Sequence, residues 1–379
     1  MGLVLTEEQQ MLQESANGFL NEKAPVAALR KLRDERSADG FDRGLWREMA
    51  EMGWAGILID EAFGGSEFGF VGAGLLAEEM GRTLTASPFF STSILAATAL
   101  KIAGNDGQKS ENLPKIASGE LLMALAIDEA SKHAPLKTAL RAEKSGNSFK
   151  LSGSKTFVAD GHVADKLIVA ARSGGSPGES EGITLFLVDA AAKGVTLERT
   201  VMVDSRNAAR IEFDGVEATG DDVLGEVDGG HQALEGVLSA GRAGLAAELS
   251  GASQQAFSIT NEYLKERRQF GTVVGTFQAL QHRAAHLYSE IELVKSVVLK
   301  SLQDLDHNFG MAGVTCSLAK AKASEVAKLA SQEAVQMHGG IGMTDKYDIG
   351  FYMKRIRVAQ EMFGDNAFHI DRLAQMRGF

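Results

Sequence analysis

The sequence predicts an α+β multi-domain chain: an N-terminal all-α domain (residues 1–119), a central antiparallel β domain (120–228) and a C-terminal four-helix bundle (229–379). Three observations predict it. At 379 residues the chain exceeds what one ordinary core organises. The apolar period shortens to a strand-like one from about Leu121 and becomes helical again from Gly230. Between Phe277 and Leu305, apolar residues recur at steps of three and four, painting one stripe along a single long helix that needs partners to cover it.

Each element has a local reason. Thr6 followed by Gln9 reads as a capping box that satisfies orphan donors at a helix start. Asp42 caps a second helix, which gathers Leu45, Trp46, Met49 and Met52 on one side and ends at Gly53. The glycines from Gly64 to Gly74 lack the Lys-Ser/Thr of a phosphate loop and the register of a dinucleotide-binding turn, so they read as a loop leading into a helix that ends near Gly81. Strands are expected at Leu121–Ile127, Leu167–Ala171, Ile183–Val188 and Ala209–Phe213, with an exposed loop over Ser173–Gly182. No strand is followed by a glycine-rich turn and helix, which disfavours a Rossmann domain. Helices at Leu234–Tyr263 and Ala319–Met337 are the expected neighbours of the stripe.

Composition narrows the function classes. With 50 acidic against 39 basic side chains, the net charge of -11 repels nucleic acid and anionic membranes. A lone cysteine, Cys316, forms no internal disulfide and reads as a small buried residue, and no apolar run matches a membrane span or signal peptide. A cytoplasmic location is expected.

Two strings carry the chemistry: Tyr263-Leu-Lys-Glu-Arg267-Arg-Gln-Phe270-Gly271 with Phe277-Gln278, and Gln336-Met-His-Gly339-Gly340-Ile-Gly342. In order and at this spacing they resemble the cofactor-gripping segments of the acyl-CoA dehydrogenases, and the resemblance extends over nearly the whole chain, including Phe213-Asp-Gly-Val216 before Leu224-Gly225. It implies FAD held between subunits of an oligomer, a tetramer as a rule. Arg267 would meet the pyrophosphate of the FAD in the adjoining subunit, Phe270, Phe277 and Gln278 would line it, and Gln336, Gly339 and Gly340 would lie over the adenosine. The activity implied is oxidation of an acyl-CoA thioester to its enoyl form, with an electron-transfer flavoprotein as acceptor.

Other family positions depart from the pattern. Where the family holds the isoalloxazine ring, this chain has Asp128–Pro135 and Phe157-Val-Ala-Asp160, with Ala159 in place of a hydroxyl. Where most members carry the glutamate that removes the α-proton stands Phe363, and Gly241, before Arg242, occupies the alternative location. Arg242 is carried over as a substrate-side residue. The nearest carboxylates, Glu361 and Asp365, are the candidate catalytic bases, although two steps along a regular helix they would point away.

His282 and His286, four apart with Arg283 between them, lack the glutamate of a zinc-protease helix and read as surface residues. For His338 a backbone role in the cofactor loop is expected, and Trp46 and Trp54 read as core. Three hypotheses follow: a homotetrameric dehydrogenase with an unusual base, an incomplete subunit that pairs with a different chain, as in mixed tetramers acting on steroid-derived or dicarboxylic acyl-CoAs, or a non-enzymatic flavin- or CoA-binding scaffold.

Overall fold

The computed structural model describes residues 2–379, and helices, a sheet and helices again follow one another along them. Helix α1 (Glu7–Lys23) begins at a true capping box: Gln9 N donates to Thr6 Oγ1 at 3.2 Å, and Thr6 N donates to Gln9 Oε1 at 3.0 Å. Helix α2 (Val26–Asp34) follows, and Asp42 caps α3 (Arg43–Glu51) by accepting from Gly44 N and Leu45 N. Trp46, Met49 and Trp54 are buried, but Met52, at the helix end, is exposed rather than on the buried side.

The glycine-rich stretch corrects the sequence reading. Helix α4 (Gly69–Thr83) already contains Gly69, Gly72 and Gly74, which had been assigned to a loop. Close packing explains the glycine: a Cβ on Gly74 would lie 2.3 Å from Leu302 Cδ1. A π-helical segment (Phe89–Ala96), α5 (Ala97–Ala103) and α6 (Asp106–Ala117) complete the first helical stretch.

The eight strands of the main sheet are β1 (Met123–Ala126), β2 (Arg141–Ser145), β3 (Ser148–Ala159), β4 (Lys166–Arg172), β5 (Ile183–Asp189), β6 (Val195–Val201), β7 (Asn207–Thr219) and β8 (Val223–Leu224). They run in the order β6-β7-β3-β2-β4-β5-β8, with β1 beside β4. All pairs are antiparallel except β1 and β2 against β4. Leu151, Leu167, Val169, Phe186 and Ile211 fill the core behind it.

Helix α7 (Gly230–Glu266) leads to a short hairpin, β9 (Arg268–Gln269) and β10 (Thr272–Val273), then to α8 (Gln278–His307), α9 (Gly313–His338), α10 (Ile349–Glu361) and α11 (Asn366–Met376). The α8 stripe is buried from Leu287 to Leu305, whereas Phe277, Leu280 and Ala284 at its start are not. Contacts gather the chain into two compact units: residues up to Lys31 with Phe70–Thr85 and Arg242–Phe379, and Leu32–Gly69 with Ala86–Gly241. In the first, a buried pair joins two helices, Arg355 donating to Glu248 at 2.8 and 2.7 Å. Among the described residues no helix is long and apolar enough to cross a membrane.

Candidate functional site

The first unit holds both sequence strings and brings them together. Tyr263, one turn before the end of α7, stacks on His338 with centroids 4.4 Å apart, and its hydroxyl donates to His338 O at 3.3 Å. Tyr347 closes on the same imidazole edge to face at 5.3 Å. Leu264, Val274 and Met337 form a small core beneath. The imidazole Nδ1 donates to Ala334 O at 2.8 Å, which fixes the tautomer because a carbonyl only accepts. Burial pulls its pKa down, so the imidazole of His338 is a neutral structural post that orders the loop.

Above that post the backbone lies open. Gly339 ends α9 at φ +65°, ψ -144°, a conformation that side chains resist. A Cβ on Gly339 or Gly340 would meet nothing within 4 Å, while one on Gly342 would strike His338 Cβ at 2.9 Å. Gln336 is exposed beside them. The loop is tied from below by Arg30, which donates to Asp345 O at 2.7 Å and to Asp348 Oδ1 at 2.9 Å. Arg30 was not singled out from the sequence, since its partners lie more than 300 positions away.

Arg267 is exposed where α7 stops, its N–H still donating to Tyr263 O at 2.9 Å. From there the chain makes a two-residue hairpin whose central pair, Phe270 (φ +53°) and Gly271 (φ +80°), has the double positive φ of a type I′ turn. Phe270 is 88% exposed at the tip and lies edge to face with Phe277, 6.3 Å away. Phe277 precedes the first turn of α8, which has no side-chain cap, and Gln278 opens that helix. An exposed guanidinium, uncapped helix N–H groups, aromatic surface and side-chain-free backbone are what a dinucleotide's pyrophosphate and adenosine ask of a protein. The adenosine and pyrophosphate end of FAD therefore fits the residues present.

The ring-side stretches lie in the second unit and are internally knotted. Glu129 accepts from Ala139 N at 2.9 Å, from Leu140 N at 2.9 Å and from the fully buried Lys155 Nζ at 2.7 Å. His133 Nδ1 lies 2.9 Å from Asp128 Oδ1, and Asp160 accepts from Ser91 at 2.7 Å. Ala159 ends β3 opposite Ala208 and offers no hydroxyl.

The turn between α10 and α11 is where the base is expected. Phe363 (φ +54°) is buried, and Gly364 has φ +105°. The backbone here is therefore not a regular helix, so the geometric objection raised against Glu361 and Asp365 does not apply as stated. Both carboxylates are nonetheless engaged. Asp365 caps α11 by accepting from Phe368 N at 2.9 Å, and Glu361 pairs with Arg357 at 2.9 Å. Arg242, wholly buried on α7, lies 5.9 Å from the Phe368 ring, in the neighbourhood of Cys316 and Lys320. Burial pushes the Cys316 thiol up to about 12, which keeps it inert at neutral pH. His282 and His286 are exposed on α8.

A cavity of about 760 Å³ opens elsewhere in the first unit, over Gln13, Glu78, Glu79, Arg82, Gln254 and Leu302. None of the motif residues lines it.

Three adjoining family models match the chain: the acyl-CoA dehydrogenase N-terminal domain over residues 6–120, the middle domain over 127–216 and the C-terminal domain over 228–376. A Bacillus subtilis acyl-CoA dehydrogenase is 30% identical, with 96% of each chain covered. Among solved structures, a chain of the Tcur3481-Tcur3483 steroid ACAD is 31% identical, covers 98% of both chains and has a TM-score of 0.88. Butyryl-CoA dehydrogenase from Megasphaera elsdenii is 26% identical over 100% of both, with a TM-score of 0.90. With the fold, the paired strings and the open backbone agreeing, this chain belongs to the acyl-CoA dehydrogenase family of FAD-dependent flavoproteins.

Proposed function

We propose that this chain is a subunit of an acyl-CoA dehydrogenase that completes FAD sites across an oligomer interface, and that it draws its catalytic base from a different chain. One observation carries the reading. The residues that would grip FAD are exposed and preformed, whereas Phe363 fills the base position and the two nearby carboxylates are spent on a helix cap and an ion pair. The likeness to the Tcur3481-Tcur3483 steroid ACAD supports a mixed assembly and suggests a bulky steroid-derived acyl-CoA as substrate class.

The roles follow from chemistry. When bound, FAD supplies the acceptor for the hydride that leaves the acyl β-carbon. Arg267 contributes charge to the pyrophosphate, Phe270 and Phe277 cover the dinucleotide from water, and Gly339 and Gly340 let the adenosine approach the backbone. Phe363 excludes water from its surroundings but takes no proton. An electron-transfer flavoprotein is the acceptor that the family resemblance implies. The acidic surface and lone cysteine accord with a cytoplasmic setting.

The visible spectrum tests this. Purified alone the chain should be colourless, and co-expressed with a second acyl-CoA dehydrogenase chain it should be yellow and bleach with acyl-CoA. Bleaching by the chain alone would favour a homotetramer with an unusual base. Colour without turnover, whatever the partner, would leave a binding scaffold.

A further inference from the structure

The cavity of about 760 Å³ in the first unit is lined by no residue of either sequence string, and its volume falls in the range of roughly 300–1,000 Å³ typical of small-molecule sites. Helices α1, α4, α7 and α8 contribute to its walls. Leu75, Val298, Leu299 and Leu302 give it an apolar lining, to which Glu78 and Glu79 of α4 add two carboxylates. A close helix crossing draws these acids inside. A Cβ on Gly81 would overlap Glu248 O, and one on Gly251 would overlap Glu78 O, so α4 and α7 meet backbone to backbone.

The two carboxylates are not equally provided for. Glu79, 3% exposed, accepts from Asn17 Nδ2 at 2.7 Å and pairs with Arg82 Nε at 3.3 Å. Glu78, 9% exposed, makes no ion pair among the described residues. Gln13 Nε2 reaches it at 3.4 Å, a long hydrogen bond, and the Gln254 amide and Ser250 hydroxyl are further neutral neighbours. Arg82 also donates to Gln254 Oε1, and Lys295, the other cation in the lining, is held by Glu292 at 3.1 Å. Glu14, exposed on α1, adds further negative charge. The cavity therefore holds a carboxylate in excess of its cations beside apolar side chains. A buried carboxylate without a counter-charge is poorly stabilised as the anion. Burial accordingly raises the Glu78 carboxyl above its ordinary range, with Arg82 opposing in part and Glu79 adding repulsion.

We propose that this cavity binds a small organic monocation with an apolar chain, a primary alkylammonium, whose head group pairs with Glu78 and whose chain lies along Leu75, Val298, Leu299 and Leu302. The ammonium supplies three donors and the single positive charge that the excess carboxylate lacks, and the carbon chain displaces water from the apolar lining. An anionic ligand would add to the excess instead. The site does not rest on the function proposed above.

Calorimetric titration of the full chain with n-octylammonium, without FAD or acyl-CoA, tests this against two matched probes. Octan-1-ol has the chain without the charge, and ethylammonium has the charge without the chain. One saturable site per chain is expected for octylammonium, at an affinity at least about tenfold above either control. Its binding should slow backbone amide exchange at residues 75–82 and 292–302, which border the cavity. Glu78→Gln keeps the shape and removes the charge, so octylammonium affinity should fall by about tenfold or more while octanol binding and the melting temperature do not fall. No saturable binding of octylammonium, or either control binding as tightly, overturns the cation site. Protection confined to another part of the chain overturns its location. Both of these comparisons use the wild-type chain and decide the matter even where the variant fails to fold. A folded Glu78→Gln that binds octylammonium undiminished overturns the role given to Glu78.

Discussion

Phe270 and Phe363 share a backbone that few aromatic residues adopt, φ +53° and +54°, yet one is 88% exposed and the other 7%. The buried one is explained from within: Lys320 and His369 bond the carbonyls around it. The exposed one is set by a two-residue hairpin and Gly271, and its ring lies edge to face with Phe277. Large apolar groups displayed at a rigid tip gain their stabilisation from whatever later covers them. The comparison teaches that the proposed cofactor surface leaves its aromatic tip to be covered from outside, while the α10–α11 turn is satisfied from within.

The largest effect expected lies on the internally satisfied side. Glu248→Gln keeps the shape of the side chain but leaves Arg355 charged and buried on α10, the helix that leads into the turn. Breaking one partner of such a pair costs about 3–5 kcal/mol. Urea unfolding measures it, and a loss below about 1 kcal/mol would mean that this side is not held as described.

On the exposed side the effects should fall on ligand and spare the fold. Arg267→Ala removes a charge that makes no ion pair among the described residues, so thermal stability should hold within about 1 °C while FAD affinity falls roughly 10–100-fold, the worth of one charge-assisted contact. Flavin fluorescence titration on the assembled oligomer reads this. Gly340→Val is smaller and sharper. Its Cβ enters open space, so the fold should be indifferent, and only the approach of adenosine should suffer, by about tenfold. A drop in stability with unchanged flavin binding would reverse the roles assigned to the two regions.

Much of this was legible in the sequence, and the exceptions share a cause. Local signals were read correctly: the Thr6–Gln9 box, the Asp42 cap and the apolar stripe of α8 all depend on residues a few positions apart. Strands β2, β3 and β6 escaped because their buried positions are sparse; β6 has none. Gly74 looked like a loop residue because its close packing against Leu302 depends on a residue more than 200 positions away. At the proposed site, the strings name Arg267 and Gly339 as candidates but give no sign of the posts packed beneath them, Tyr347 and Arg30. Lys320 did leave a trace, since it shares the small-residue face of α9 with Cys316, Ala323, Ser324 and Ala327, where a lysine is out of place unless partnered. Its carbonyl partners on the α10–α11 turn left none.

Lys320 also gives the smallest and most specific prediction. Burial, with Arg242 adding repulsion from α7, lowers its pKa from 10.5 to about 7, while Glu361 and Asp365 act in the opposite sense and His369 faces the same turn from α11. Cys316, one helical turn away, stays neutral below about 12. Between pH 7 and 10.5 the unfolded chain therefore binds a proton that the folded chain releases, and stability must rise with pH across that window. Below about 7 the penalty of the buried charge is present in full, and above 10.5 it is gone. Lys320→Met removes the term altogether. The melting temperature of the wild type, taken relative to that variant, should climb by about 3 °C or more from pH 7 to pH 10. A flat difference would mean that the Gln360 and Gly364 carbonyls and the Ser324 hydroxyl compensate the buried ammonium completely, and the turn would then be held by a permanent cation rather than by an amine that changes charge near neutrality.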